Sequence, residues 1–167
     1  LGYELGESLV EKETVLARPF LHQPKIILPA DVRVRNGDQV FIKTPDTLIA
    51  TDNILDVGLV SIERLLPVIA AAKLILWNGP LGNFEQGFKG STEAIAKFIA
   101  ASNAESIVGG GDTVAAIRSL DIFDQFDFVS TGGGAMLDFL ATGTLPGIEA
   151  LKTSPTFTRL TAVNRGV

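Results

Sequence analysis

The order of apolar and polar positions changes character near residue 73. Before it, the segments are short and varied. Residues 7–21, ESLVEKETVLARPFL, carry apolar residues at roughly helical spacing, with acidic residues early in the run. Ser8 and Glu11 stand where a capping box would have them, and Pro19 marks the last turn. KIILPADVRV (25–34) is rich in Ile and Val, and Pro29 divides it into two short strands. NGDQVFIK (36–43) opens with Asn-Gly, a hairpin signal between strand-like segments. DNILDVG (52–58) is a short extended piece, and SIERLLPVIAAA (61–72) is a helix in which Pro67 invites a kink.

Beyond residue 73 the rhythm is regular. KLILWNG (73–79), ESIVGG (105–110) and FDFVST (126–131) read as buried strands. STEAIAKFIAAS (91–102), DTVAAIRSL (112–120) and GAMLDFLAT (134–142) read as helices, with Ser91 the cap of the first. Strands alternating with helices, without two-residue turns, imply parallel pairing through right-handed crossovers. Strands that are apolar throughout fit a sheet covered on both faces. The expectation is an α/β fold: a doubly wound, mostly parallel sheet in a Rossmann-like three-layer arrangement, forming one domain.

Two of the strand–helix junctions hold three consecutive glycines, Gly109–Gly111 and Gly132–Gly134. Glycine loses more backbone freedom on folding than any other residue, so each run needs a reason. A tight turn with close packing is one. A ligand is the other, because ligands of open parallel sheets bind beyond the carboxyl ends of the strands. Both loops lie at such ends, one crossover apart, and WNGPLGNFE (77–85) emerges on the same rim. Glycine lets a ligand approach the backbone, and the following helix offers free N–H groups and the positive end of its dipole to phosphate. The pair of loops favours phosphate binding over a turn alone.

The standard nucleotide motifs are absent. A dinucleotide fingerprint counted from Gly109 ends on Val114 and from Gly132 on Leu137, where Gly or Ala is required. A Walker A loop counted from Gly82 through Gly87 puts Phe88 where Lys is required. Asp112, at the start of a helix, reads either as an N-cap or as an oxygen ligand for magnesium on nucleotide phosphates. Glu85 is either a solvated loop charge or a carboxylate placed to accept ribose hydroxyls, and Trp77 is a core or pocket-wall residue.

Composition narrows the classes. The 167 residues are 46% hydrophobic and 20% charged, which fits an ordinary globular domain rather than a disordered chain. A net charge of −5 argues against nucleic acid, so bound phosphate must be held by a local device. Absence of cysteine excludes disulfides, zinc fingers, iron–sulfur clusters and thiol catalysis. The single histidine, His22, has no neighbouring partner for nucleophilic catalysis and is read as non-catalytic. The longest apolar stretch, residues 65–77, is broken by Pro67 and Lys73 and falls short of the ~20 residues a spanning helix needs. A cytoplasmic location without membrane partners is expected. The chain begins with Leu1 as though mid-protein, so a piece of a longer chain is expected.

Together WNGPLGNFE, GGGDTVAAI and STGGGAMLDFLATGTLPGIEAL closely resemble the C-terminal half of phosphoglycerate kinase. LGYELGESLVE, ILPADVRV and DVGLVSI match further segments in the same order. The resemblance runs from residue 1 to 151, which it implies is the nucleotide-binding domain in partial form; residues 152–167 form a C-terminal tail without an assigned role.

The resemblance implies a phosphotransferase of glycolysis that moves a phosphoryl group between 1,3-bisphosphoglycerate and ADP. It implies Mg2+ and ADP or ATP on this side of the enzyme, phosphoglycerate on the other, and a monomeric parent. By similarity, Asn78, Pro80 and Glu85 line the nucleoside site, with Glu85 on the ribose, and Gly58 lies near the adenine. Gly110, Gly111, Asp112 and Thr113 contact the nucleotide phosphates, with Asp112 at the metal. The helix start at Gly133 and Gly134 points at the phosphoryl group in flight.

Departures accompany the resemblance. The N-terminal substrate domain with its basic residues is missing, as is the opening of the nucleotide domain. Leu59-Val60 stands where the family has Pro and a polar residue, and the segment between Glu85 and Phe88 is short. The chain is therefore expected to be inactive alone. A non-catalytic nucleotide-binding or interaction module derived from that domain is the alternative.

Overall fold

The computed structural model describes Ser8, residues 19–20 and residues 23–153. Most of the helix expected over 7–21, together with His22 and the tail beyond Thr153, lies outside the described residues.

The chain first builds an antiparallel sheet of β1 (Val32–Asn36), β2 (Gln39–Lys43) and β3 (Asn53–Val57), ordered β2-β1-β3. The Asn-Gly signal is borne out: Asn36 pairs with Gln39 across a two-residue turn in which Gly37 takes φ 57°. Val32, Val34 and Leu48 bury one face of this sheet with Ile54. Asp52 closes the long connection from β2 to β3. It accepts hydrogen bonds from Lys43 Nζ (2.7 Å), Asn36 Nδ2 (3.0 Å) and the Ile49 amide (2.9 Å). Burial opposes its charge, but those donors outweigh it and hold the carboxyl below its usual range.

Pro29 does not separate two strands. Residues 25–29 form no strand, and Ile26, Ile27 and Leu28 are exposed, because no strand among the described residues pairs with them and Pro29 has no N–H to offer.

Helix α1 (Leu59–Ala71) begins two residues earlier than its periodicity suggests. Gly58 at its N-cap has no side chain to cap with, so Asp31 performs that task from the foot of β1. Its carboxylate accepts the amides of Ser61 (2.7 Å) and Val60 (3.1 Å) and the Ser61 hydroxyl (2.6 Å). Burial works against the charge of Asp31, yet these bonds prevail and keep its carboxyl low. Pro67 is accommodated within the helix.

The second half follows the alternation. β4 (Leu74–Asn78), β5 (Glu105–Gly109) and β6 (Phe128–Ser130) form a parallel sheet in that order. Helices α2 (Gly90–Ala100) and α3 (Gly111–Ser119) carry the crossovers, and α4 (Gly133–Thr142) and α5 (Pro146–Thr153) follow β6. Ile62, Ile95, Ala96, Ile99, Ile117 and Phe126 close over Trp77 and Val108 as one core. Each large aliphatic so buried is worth about 1.5–3 kcal/mol relative to exposure.

The α/β class, the parallel sheet and the single domain are as expected. The expectation of two covered faces is not met among the described residues: Leu74, Leu76 and Phe128, on the face away from that core, are 56%, 40% and 59% exposed. A continuous apolar run reports what a strand is suited to, not what is present to cover it. Ser91 is also not a cap. It is the second residue of α2, and its hydroxyl donates to the Val57 carbonyl (2.8 Å), tying α2 to the end of β3.

Candidate functional site

The carboxyl ends of β4, β5 and β6 bring the two glycine junctions into contact. Gly133 stands with its Cα against the Gly110 backbone; a methyl group there would lie 2.5 Å from the Gly110 nitrogen and 2.6 Å from its Cα. Asn78, the last residue of β4, bridges both loops. Its Nδ2 donates to the Gly133 carbonyl (3.1 Å), and its Oδ1 lies where a side chain at Gly110 or Gly133 would have to go. Gly109 makes room for Met136 of α4. Gly110, with φ 94°, holds a conformation that L side chains rarely adopt.

The third glycine of each run is different. Nothing lies within 4 Å of a methyl group placed on Gly111 or on Gly134. Both belong to the first turn of a helix, α3 and α4, where amides are free and the dipole is positive. Two helix starts therefore present open backbone on one rim.

Thr113 is fully buried behind this rim, and its hydroxyl accepts the Gly79 amide (3.0 Å). Trp77 donates its indole N–H to the Gly79 carbonyl (2.8 Å), so both sides of the Gly79 backbone are fixed. Trp77 is the core residue expected of it.

A groove of about 1190 Å³ lies beside the rim, and three of the expected residues line it: Pro80, Glu85 and Asp112. Its opposite wall is β3, from Asn53 to Val57. Asp112 is in the first turn of α3 rather than at its cap, which is Gly110, and makes no cap hydrogen bond. No group of three or more metal-ligating side chains occurs among the described residues. A single carboxylate still suits magnesium, which takes most of its ligands from phosphate and water.

Gly58 stands apart from that lining. A side chain there would collide with the Asp31 carboxylate, so its glycine serves the start of α1. Reading the sequence missed Asn53, Asp56, Asn83 and Phe84 in the groove. Asp56 carried a usable signal, a charge inside the apolar strand NILDV.

No helix among the described residues is long and apolar enough to cross a membrane. The family model described as "Phosphoglycerate kinase" matches residues 1–143. The phosphoglycerate kinase of Buchnera aphidicola is 40% identical over 158 residues, covering 91% of this chain and 40% of the relative. That of Francisella tularensis subsp. novicida is 41% identical over 162 residues, covering 90% and 41%. Among solved structures, phosphoglycerate kinase from Coxiella burnetii superposes with a TM-score of 0.76 at 38% identity, over 84% of this chain and 39% of that one. The enzyme from Pyrococcus horikoshii gives 0.69 at 33% identity, over 80% and 34%. The chain thus spans about 40% of the length of the curated relatives it matches.

Proposed function

The chain belongs to the phosphoglycerate kinase family, and from that premise we propose that it carries the Mg-nucleotide side of the enzyme, the C-terminal nucleotide-binding part. The observation that carries this reading is the meeting of Pro80, Glu85 and Asp112 in one groove beside open backbone at Gly111 and Gly134. Pro80 and Glu85 face the nucleoside, with Glu85 accepting ribose hydroxyls. Gly110, Gly111 and Asp112 face the phosphates, and Asp112 holds the magnesium, which neutralises phosphate charge when bound. Asn78 and Thr113 fix the loops from behind, and Gly58 sets the strand end nearest the adenine. Gly133 and Gly134 direct a helix N-terminus at the phosphoryl group passing between 1,3-bisphosphoglycerate and ADP. Phosphoryl transfer relies mainly on positioning and charge stabilisation, which open amides supply without a basic patch.

The phosphoglycerate-binding residues belong to a substrate domain of the same parent enzyme, a cytoplasmic monomer. The chain by itself gives no turnover with Mg-ATP and 3-phosphoglycerate. Calorimetric titration with Mg-ADP tests the site: binding is expected, and Asp112→Asn weakens it roughly tenfold, the loss of about 1.4 kcal/mol. Unchanged affinity in Asp112→Asn refutes the metal assignment.

A second reading, a non-catalytic nucleotide-binding or interaction module, is favoured by Leu59 and Val60. Both are exposed at the start of α1, in place of the family's Pro and polar residue. The coding sequence upstream of Leu1 separates the two, since an unrelated domain there supports the module.

A further inference from the structure

One buried charge in the wall of the groove has no part in the chemistry above. Asp56, in β3, is 2% exposed. Its carboxylate accepts the Val57 amide (2.9 Å) and reaches across to the Ser91 amide in the first turn of α2 (3.3 Å). Burial pushes this carboxyl up, against those two donors and the charge of Arg33. An ionisable group is retained where a hydrophobic one would avoid that cost.

What the carboxylate supports is the segment between β4 and α2. Gly82 sits directly on it: a methyl group there would lie 2.6 Å from the Asp56 carboxyl carbon and would collide with the Phe88 carbonyl. On either side of Gly82 the segment is pinned to the same two elements. The Leu81 amide donates to the Thr92 hydroxyl of α2 (3.0 Å), and the Asn83 amide to the Leu55 carbonyl of β3 (2.7 Å). The Phe88 amide then returns to the Asn83 carbonyl (3.1 Å). Pro80 directly precedes the first pin, and Glu85 lies within the turn that Asn83 and Phe88 close.

We propose that Asp56 is a positioning residue: by joining β3 to the first turn of α2 beneath Gly82, it fixes where Pro80 and Glu85 stand in the groove. The consequence for ligand affinity rests on the reading of that groove as the nucleotide site. The placement of the loop does not.

Two measurements on this chain separate the claims: amide hydrogen exchange, and calorimetric titration with Mg-ADP. In Asp56→Ala, the Leu81 and Asn83 amides, whose own acceptors are untouched, exchange roughly tenfold faster, and Mg-ADP binds roughly tenfold more weakly. Asp56→Asn, which keeps one oxygen for the Ser91 amide, restores both. Ile117→Val, a core change that lowers global stability, leaves both as they were. Should Asp56→Ala fail to fold, Ser91→Pro deletes the donor in a first turn that tolerates proline, and its acceleration exceeds that of Ser91→Ala, which loses only the hydroxyl bond to Val57. Native exchange at Leu81 and Asn83 in the Asp56→Ala or Ser91→Pro variant overturns the proposal, as does equal acceleration in Ile117→Val. If the unaltered chain does not bind Mg-ADP, the nucleotide reading falls and the exchange measurements still decide the role of Asp56.

Discussion

The two triple-glycine junctions are alike in sequence and unlike in what they require of glycine. The first bends: Gly110 takes φ 94°, while Gly109 yields space to Met136. The second makes room: none of its three residues has a positive φ, and Gly133 is small because the Gly110 backbone lies against it. Only the third members, Gly111 and Gly134, share a property, and it is open space. Structure accounts for Gly109, Gly110 and Gly133, which leaves Gly111 and Gly134, the open ones, for a ligand.

Alanine substitutions break this comparison in graded fashion. Gly133→Ala has the largest effect, because the new methyl meets backbone that cannot turn aside; a loss of about 3 kcal/mol is expected in urea unfolding. Gly110→Ala follows, combining an unfavourable φ with contact at Asn78 Oδ1, and costs about 2 kcal/mol. Gly109→Ala meets the flexible end of Met136, so it costs below about 1 kcal/mol, and the double variant with Met136→Ala removes the conflict between them. Gly111→Ala and Gly134→Ala sharpen the comparison instead. Each leaves stability unchanged or raises it by about 0.5 kcal/mol, since alanine favours a helix, while Mg-ADP binding falls roughly tenfold. A stability loss at these two as large as at Gly133 would remove the distinction between packing and ligand glycines.

Much of this was legible in the chain because the signals were local. The strand–helix alternation after residue 73 and the Asn-Gly turn depend on residues close together in sequence, and both were read correctly. What escaped depends on partners far away. Ser91 looked like a cap because a serine at a helix start usually is one; its hydroxyl is instead taken by Val57, 34 residues earlier. The Lys25–Pro29 segment has strand composition and, among the described residues, no strand to pair with. Glu85 and Asp112, which line the groove, were singled out through motifs, whereas the service of Asn78 and Thr113 to the backbone behind them follows only from the meeting of β4, α3 and α4. Composition likewise could not reveal that Leu74, Leu76 and Phe128 are left facing outward.

The Asp31 cap on α1 has a consequence for the order of assembly. A helix that opens on glycine gains nothing locally for its first free amides, and here they wait for a carboxylate about 30 residues back in the chain. Closing a loop of that length must come before the reward, so the first turn of α1 is capped only once Asp31 has come back to Ser61. The antiparallel sheet and the parallel half are thereby coupled in time. The strand that begins the first unit supplies the group that lets the second unit's leading helix start.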